Sequence, residues 1–151
     1  AAEQREGFQA ALSGALDDSF NMEVVQAVHE QLLDKIEQHK ESKDPEPLTV
    51  SVQEVAAILK DCGVADNQVA AFEAQCGEQF GDGVVLNPEN IIDSKHFEIK
   101  TSDVSVAIDP KHSYIVETRI IDGRKYLLIP ADEGVEVNGM AVGIAAADRR
   151  E

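Results

Sequence analysis

Tryptophan is absent from this chain, and aromatic side chains make up only 5% of it. Its core must therefore be mostly aliphatic. Cysteine is nearly absent too: Cys62 and Cys76 are too few for a disulfide framework and form no CxxC pair. A zinc site would need ligand spacings that do not occur. Both cysteines fall on apolar faces of predicted helices, which reads as two small buried hydrophobes in a reducing compartment. No apolar run approaches the roughly 20 residues that cross a bilayer, and no signal-peptide pattern is present. A cytoplasmic location without membrane attachment is expected.

Basic side chains are also scarce. There are 13 Lys and Arg against 29 Asp and Glu, a formal net charge of −16. The excess sits early: residues 1–82 carry 5 basic and 17 acidic side chains (−12), and residues 83–151 carry 8 and 12 (−4). Such a field repels phosphate backbones, since binding them requires cations that displace condensed counterions. Direct nucleic-acid binding by this chain is not expected. The acidic excess serves solubility, or it docks a basic protein partner or a basic upstream part of the same chain. The chain opens Ala-Ala-Glu-Gln rather than Met, and its amphipathic pattern begins almost at once. This reads as a segment of a longer protein.

What is present is periodicity. Phe8, Leu12 and Leu16 form one helical stripe, weakened by Gly7 and Gly14. Asn21 is placed to cap a second helix whose stripe is Val25, Val28, Leu32 and Ile36, widened by Val24 and Leu33. Asp44-Pro45-Glu46-Pro47 stops it. Ser51 and Glu54 have the spacing of a capping box. Val52, Val55, Ile58, Leu59 and Cys62 then line one face, ended at Gly63. Val69, Phe72, Cys76 and Phe80 line the next helix, ended at Gly81. These two helices form a hairpin that invites a DNA-binding reading. The second, DNQVAAFEAQCGEQF, carries no Lys or Arg, so it lacks the donors a groove-reading helix needs.

After Gly83 the period changes to two. Val84–Leu86 is extended, and Pro88–Ile92 is one helical turn. Phe97 and Ile99 alternate with charged residues, as Val104, Val106 and Ile108 alternate with small ones. The stretch VETRIIDGRKYLLIPADEGVEVNG follows, Val116 to Gly139. Asp122-Gly123 between two β-rich runs predicts a type I′ hairpin, because both central positions need positive φ. A two-residue loop pairs Ile121 with Arg124, Arg119 with Tyr126, Thr118 with Leu127 and Glu117 with Leu128. One face, with Val116, Thr118, Ile120, Leu127 and Ile129, is expected to pack on the helices. The other carries Glu117, Arg119, Arg124 and Tyr126, and Arg119 over Tyr126 would make a cross-strand cation–π pair. These four residues are the candidate interaction surface; the structural alternative makes them ordinary solvated strand residues. Asn138-Gly139 is a second turn of the same type.

No catalytic constellation is found. The histidines, His29, His39, His96 and His112, have no metal-site spacing, and His29 reads as a border residue of its helix. Asp132 and Glu133 are two adjacent carboxylates, too few for a calcium loop. No GxSxG, HExxH or phosphate-cradling glycine loop occurs. No cofactor or metal is expected.

The segments VHEQLLDKIEQHKESKDPEPLT, NIIDSKHFEIKTSDVSVAIDP and ETRIIDGRKYLLIPADEGVEVNG resemble the C-terminal portion of a bacterial domain-of-unknown-function family. Its members come from Gram-positive anaerobes and are several hundred residues long. The resemblance runs from about Phe8 to Val142. It implies a substantial N-terminal region beyond this chain, and it implies no activity or cofactor. The matching positions Asp122, Gly123, Arg124, Tyr126, Asp132, Glu133, Gly134, Asn138 and Gly139 are mostly turn formers.

The expectation is an α+β fold: N-terminal helices, including a helical hairpin, packed on a C-terminal antiparallel β-meander of about four to six strands. Its segments would be 1–44 (helical, continuing from upstream), 45–82 (helical hairpin), 83–144 (sheet) and 145–151 (flexible tail). Two functions compete. One is a non-catalytic interaction domain of a larger cytoplasmic protein. The other is a regulatory or scaffold half of an enzyme or nucleoid-associated protein whose active part lies upstream. An enzyme with an unfamiliar site would need a deep pocket with converging carboxylates or histidines.

Overall fold

The computed structural model describes residues 2–144; the expected tail at 145–151 lies outside them. The chain forms two compact units, Ala1–Tyr114 and Ile115–Glu151. The class is α+β, with helices first and small antiparallel strand pairs after them.

In the first unit, α1 (Ala2–Leu16) packs along α4 (Asp66–Phe80). The two α1 glycines that weaken it as an isolated helix explain the approach. A Cβ on Gly7 would lie 3.0 Å from the Phe80 ring and the Gln79 side chain, and one on Gly14 would lie 3.0 Å from Gln75. Phe8 then meets Phe72 edge-on, with ring centroids 6.0 Å apart. Gln68 secures the end of α1: its amide donates to the Leu16 carbonyl and accepts from the Ser19 hydroxyl.

Helix α2 (Met22–Ser42) begins where Asn21 accepts from the Val24 amide. It buries Val24, Val28, Leu32, Leu33 and Ile36. Val25, placed in the stripe by its spacing, is only half-buried, and Val24 takes its place in the core. His29 is the larger correction. It is 6% exposed, a core residue rather than a border one.

Helix α3 (Val52–Asp61) starts at Ser51, whose hydroxyl accepts from the Glu54 amide. The Glu54 carboxylate lies 3.5 Å from Lys35 of α2. Gly63, at φ +86°, follows α3 as expected. The short strand β1 (Val50–Ser51) pairs with β2 (Val85–Leu86), joining the two ends of the α3–α4 hairpin. Val50 and Leu86 are both fully buried there. Cys76 is buried as expected, but Cys62, at the C-terminal end of α3, is exposed.

After β2 comes α5 (Pro88–Ile91), with Asn87 accepting from the Glu89 amide and Pro88 at the first helical position. A hairpin of β3 (Phe97–Lys100) and β4 (Ser105–Ile108) follows, with Phe97 opposite Ile108. A 3-10 segment, Pro110–Ile115, follows and spans the boundary between the two units.

The second unit is built of two ribbons. Strand β5 (Glu117–Ile121) pairs with β6 (Arg124–Leu128), and β7 (Glu136–Val137) pairs with β8 (Met140–Ala141). The expected meander is thus divided: among the described residues, every sheet has two strands. Each hairpin closes locally, and no strand carries the pairing from one ribbon to the next.

Candidate functional site

The β5–β6 register is the one predicted: Ile121 opposite Arg124, Arg119 opposite Tyr126, Thr118 opposite Leu127 and Glu117 opposite Leu128. The turn residues fix it. Asp122 has φ +51° and Gly123 φ +81°, the signs a type I′ turn requires. The second ribbon repeats this at Asn138 and Gly139.

Because side chains alternate, Glu117, Arg119, Arg124 and Tyr126 share one face. The Arg119 guanidinium lies 3.4 Å from the Glu117 carboxylate on its own strand. That in-strand pair replaces the expected cation–π pair across to Tyr126. Both partners are more than half exposed, so the ion pair itself contributes little to stability.

The opposite face is uneven: Val116, just before β5, is 2% exposed, but the residues along the strands are not buried. Ile120 is 68% exposed, Leu127 38% and Ile129 45%. Both faces of the β5–β6 ribbon thus carry exposed apolar side chains. Ile121 and Tyr126 are exposed on the first face, and Val137, Met140 and Val142 on or beside the second ribbon. Exposed apolar side chains on both faces of a two-stranded ribbon form the most distinctive surface of this unit.

Elsewhere among the described residues, two concave features are open grooves. One, of about 530 Å³, lies along α2 and the 3-10 segment, with Leu33 and Pro110 beside Glu30, Asp34, Glu37 and Lys111. Its charges are partly matched, with the Lys111 ammonium 3.5 Å from the Glu37 carboxylate. A second, of about 200 Å³, lies beside Val52, Glu73 and Asp82. Neither gathers histidines against carboxylates. Among the described residues, no three His, Cys, Asp or Glu side chains are grouped to hold a metal ion; Asp132 and Glu133 fall in an exposed turn.

The thiols are poorly suited to nucleophilic work. Burial, reinforced by Glu73, pushes Cys76 up to about 11. Partial desolvation and then Asp61 also raise Cys62. A thiol held protonated near neutral pH is a weak nucleophile.

One polar cluster was not legible as such from spacing. The carbonyl oxygens of Ile92 and Asp93 are consecutive, and each meets a side chain from a different helix. Arg5 of α1 donates to Ile92 (3.1 Å), and His29 of α2 lies 3.0 Å from Asp93 through Nε2. The Asp93 carboxylate accepts from the Lys95 and His96 amides and meets His96 Nδ1. These bonds fasten the turn that leads into β3. The available clue was His29 standing four residues before Leu33 on the widened side of the α2 stripe.

These observations define an α+β domain whose described residues assemble hydrogen-bonded corners and exposed ribbons. The chain belongs to the family described as Domain of unknown function (DUF4317), whose model matches residues 1–140. No curated protein and no solved structure matches it. Among the described residues, no helix is long and apolar enough to cross a membrane.

Proposed function

We propose that this chain is a non-catalytic interaction domain of a larger cytoplasmic bacterial protein. Its contact surface is the β5–β6 ribbon face bearing Glu117, Arg119, Arg124 and Tyr126. Its partner is another protein or an upstream part of its own chain, and it does not bind nucleic acid directly. The observation carrying this reading is the exposure of Ile121 and Tyr126 on that face of a ribbon that, among the described residues, has two strands. An isolated two-stranded hairpin is marginal in water and gains stability from a third strand or a packing surface. Exposed apolar side chains on a short ribbon are what a packing partner can cover.

The test is partner capture by the full-length protein, with hydrogen exchange of the ribbon followed in the captured complex. Replacing Arg119 and Tyr126 together by Ala should abolish capture, and the wild-type ribbon should gain protection when bound. Undiminished capture by the double variant would rule out this surface.

A further inference from the structure

The segment from Asp93 to Ser113 leaves the helices, forms the β3–β4 hairpin and returns. Two side chains three residues apart on α2 hold its two feet. Gln26 Nε2 donates to the Ser113 carbonyl at 2.8 Å, and His29 Nε2 meets the Asp93 carbonyl at 3.0 Å. Only one of these two can change its charge.

The geometry fixes the state of that one. A carbonyl oxygen can only accept, so Nε2 of His29 must carry the hydrogen. In the neutral ring Nδ1 is then bare. Nδ1 is buried and meets no protein donor or acceptor. The ring also stands edge-on to Phe97, the first residue of β3, at a centroid distance of 4.9 Å. Phe97 is itself only 8% exposed.

A second proton would place an N–H donor and a positive charge on Nδ1, in a position that offers no acceptor. Buried donors without partners, and buried charges above all, are unfavourable. The charged groups on the elements around the ring are engaged elsewhere. The Arg5 guanidinium is bonded to the Ile92 carbonyl. The Asp93 carboxylate is turned to the Lys95 amide and to His96. On β3, Glu98 lies against Lys100, and on the 3-10 segment Lys111 lies against Glu37. Glu30, next to His29 on α2, points to solvent.

We propose that His29 is a proton-operated clasp. Neutral, it binds the Asp93 foot and seats Phe97; protonated, it leaves that position and frees the β3–β4 hairpin from α2. Gln26 keeps the Ser113 foot attached, so the hairpin loosens from one end while the helical core stays folded. Imidazole is the side chain whose charge ordinarily changes between about pH 5 and 8, so that interval is the one to test.

The full chain is followed by amide hydrogen exchange, expressed as protection factors so that the intrinsic pH dependence of exchange cancels. Between about pH 7.5 and 5.5, the amides bonded across β3–β4 should lose at least about tenfold in protection, while those of α1 and α4 hold. His29→Gln keeps an amide donor for the Asp93 carbonyl and cannot be protonated, so its hairpin protection should be the same at both pH values. His96→Gln should behave as wild type, which separates the clasp from the exposed His96–Asp93 pair. Nitrogen-15 shifts of the wild-type ring supply an independent check should His29→Gln fail to fold: they should report the Nε2–H tautomer at the higher pH and protonation in step with hairpin loosening. Protection that does not change with pH, a loss that persists in His29→Gln, or an Nδ1–H tautomer in the neutral ring would each overturn the proposal.

Discussion

Asp93 and His96 form a closed corner: the carboxylate lies 3.1 Å from the His96 ring and accepts from the His96 amide as well. Partial desolvation pushes the Asp93 carboxyl up, but the Lys95 amide, the His96 ring and the His96 amide outweigh it and hold the group below its ordinary value of 3.8. A depressed carboxyl stabilises the fold above its unfolded value, and that contribution disappears as pH falls through the folded one. Asp93→Asn keeps an oxygen for the two amides and removes the charge. Urea unfolding should show the variant less stable near neutral pH, with the two curves converging as pH drops below about 4. The effect should be small because the side chain is 41% exposed.

The β5–β6 turn gives a prediction about backbone conformation alone. Gly123 sits at φ +81°, and nothing lies within 4 Å of where a Cβ would be. Gly123→Ala therefore costs conformational strain, about 1–2 kcal/mol, with no clash. Nuclear Overhauser contacts between Thr118 and Leu127 should weaken in that variant. Asp122→Asn should strengthen them, since Asn-Gly suits this turn type best.

The two thiols should separate cleanly by reactivity. Cys62 is exposed, whereas Cys76 is buried with its ionisation pushed up to about 11. Mass spectrometry after brief iodoacetamide treatment at about pH 8 should find Cys62 modified and Cys76 intact. Cys62 should still react more slowly than an unfolded peptide thiol, because its own ionisation is raised. Denaturant should expose Cys76 to the reagent.

Phe72 is fully buried and Phe8 is 2% exposed, their rings nearly perpendicular at 85°. Phe72→Ala should lower unfolding free energy by about 3–5 kcal/mol, through lost burial and the cavity left behind. Phe8→Ala should be similarly severe. The double variant should fall short of the sum of the two, since the residues share one contact. Chemical denaturation of the four proteins measures the cycle.

Local chemistry carried well from sequence to structure in this chain. The caps at Asn21 and Ser51, the glycine after α3, the turn at Pro88 and the β5–β6 register depend on a few adjacent residues, and each is found where the pattern puts it. Partnership between distant segments did not carry. Alternation in the second half marks strands without saying whether they join one sheet, and here each hairpin keeps to itself. The pairing of Val50 with Leu86 crosses an entire helical hairpin and has no local signature. Gly7 and Gly14 read as defects in α1 until α4 lies against them. His29 looked peripheral because its acceptor lies on a turn 64 positions away. For the interaction surface, sequence supplied which side chains share a ribbon face; it could not supply how much of each face stays open.

The seating of α1 against α4 also governs how the chain can reach its folded form. Phe8 and Phe72 are 64 positions apart, so the central aromatic contact is one of long sequence separation. Forming it requires a large loop to close before its burial is gained, which slows folding. On the ribosome, α1 cannot make its contacts with α4 until the fourth helix has emerged, about fifty residues later.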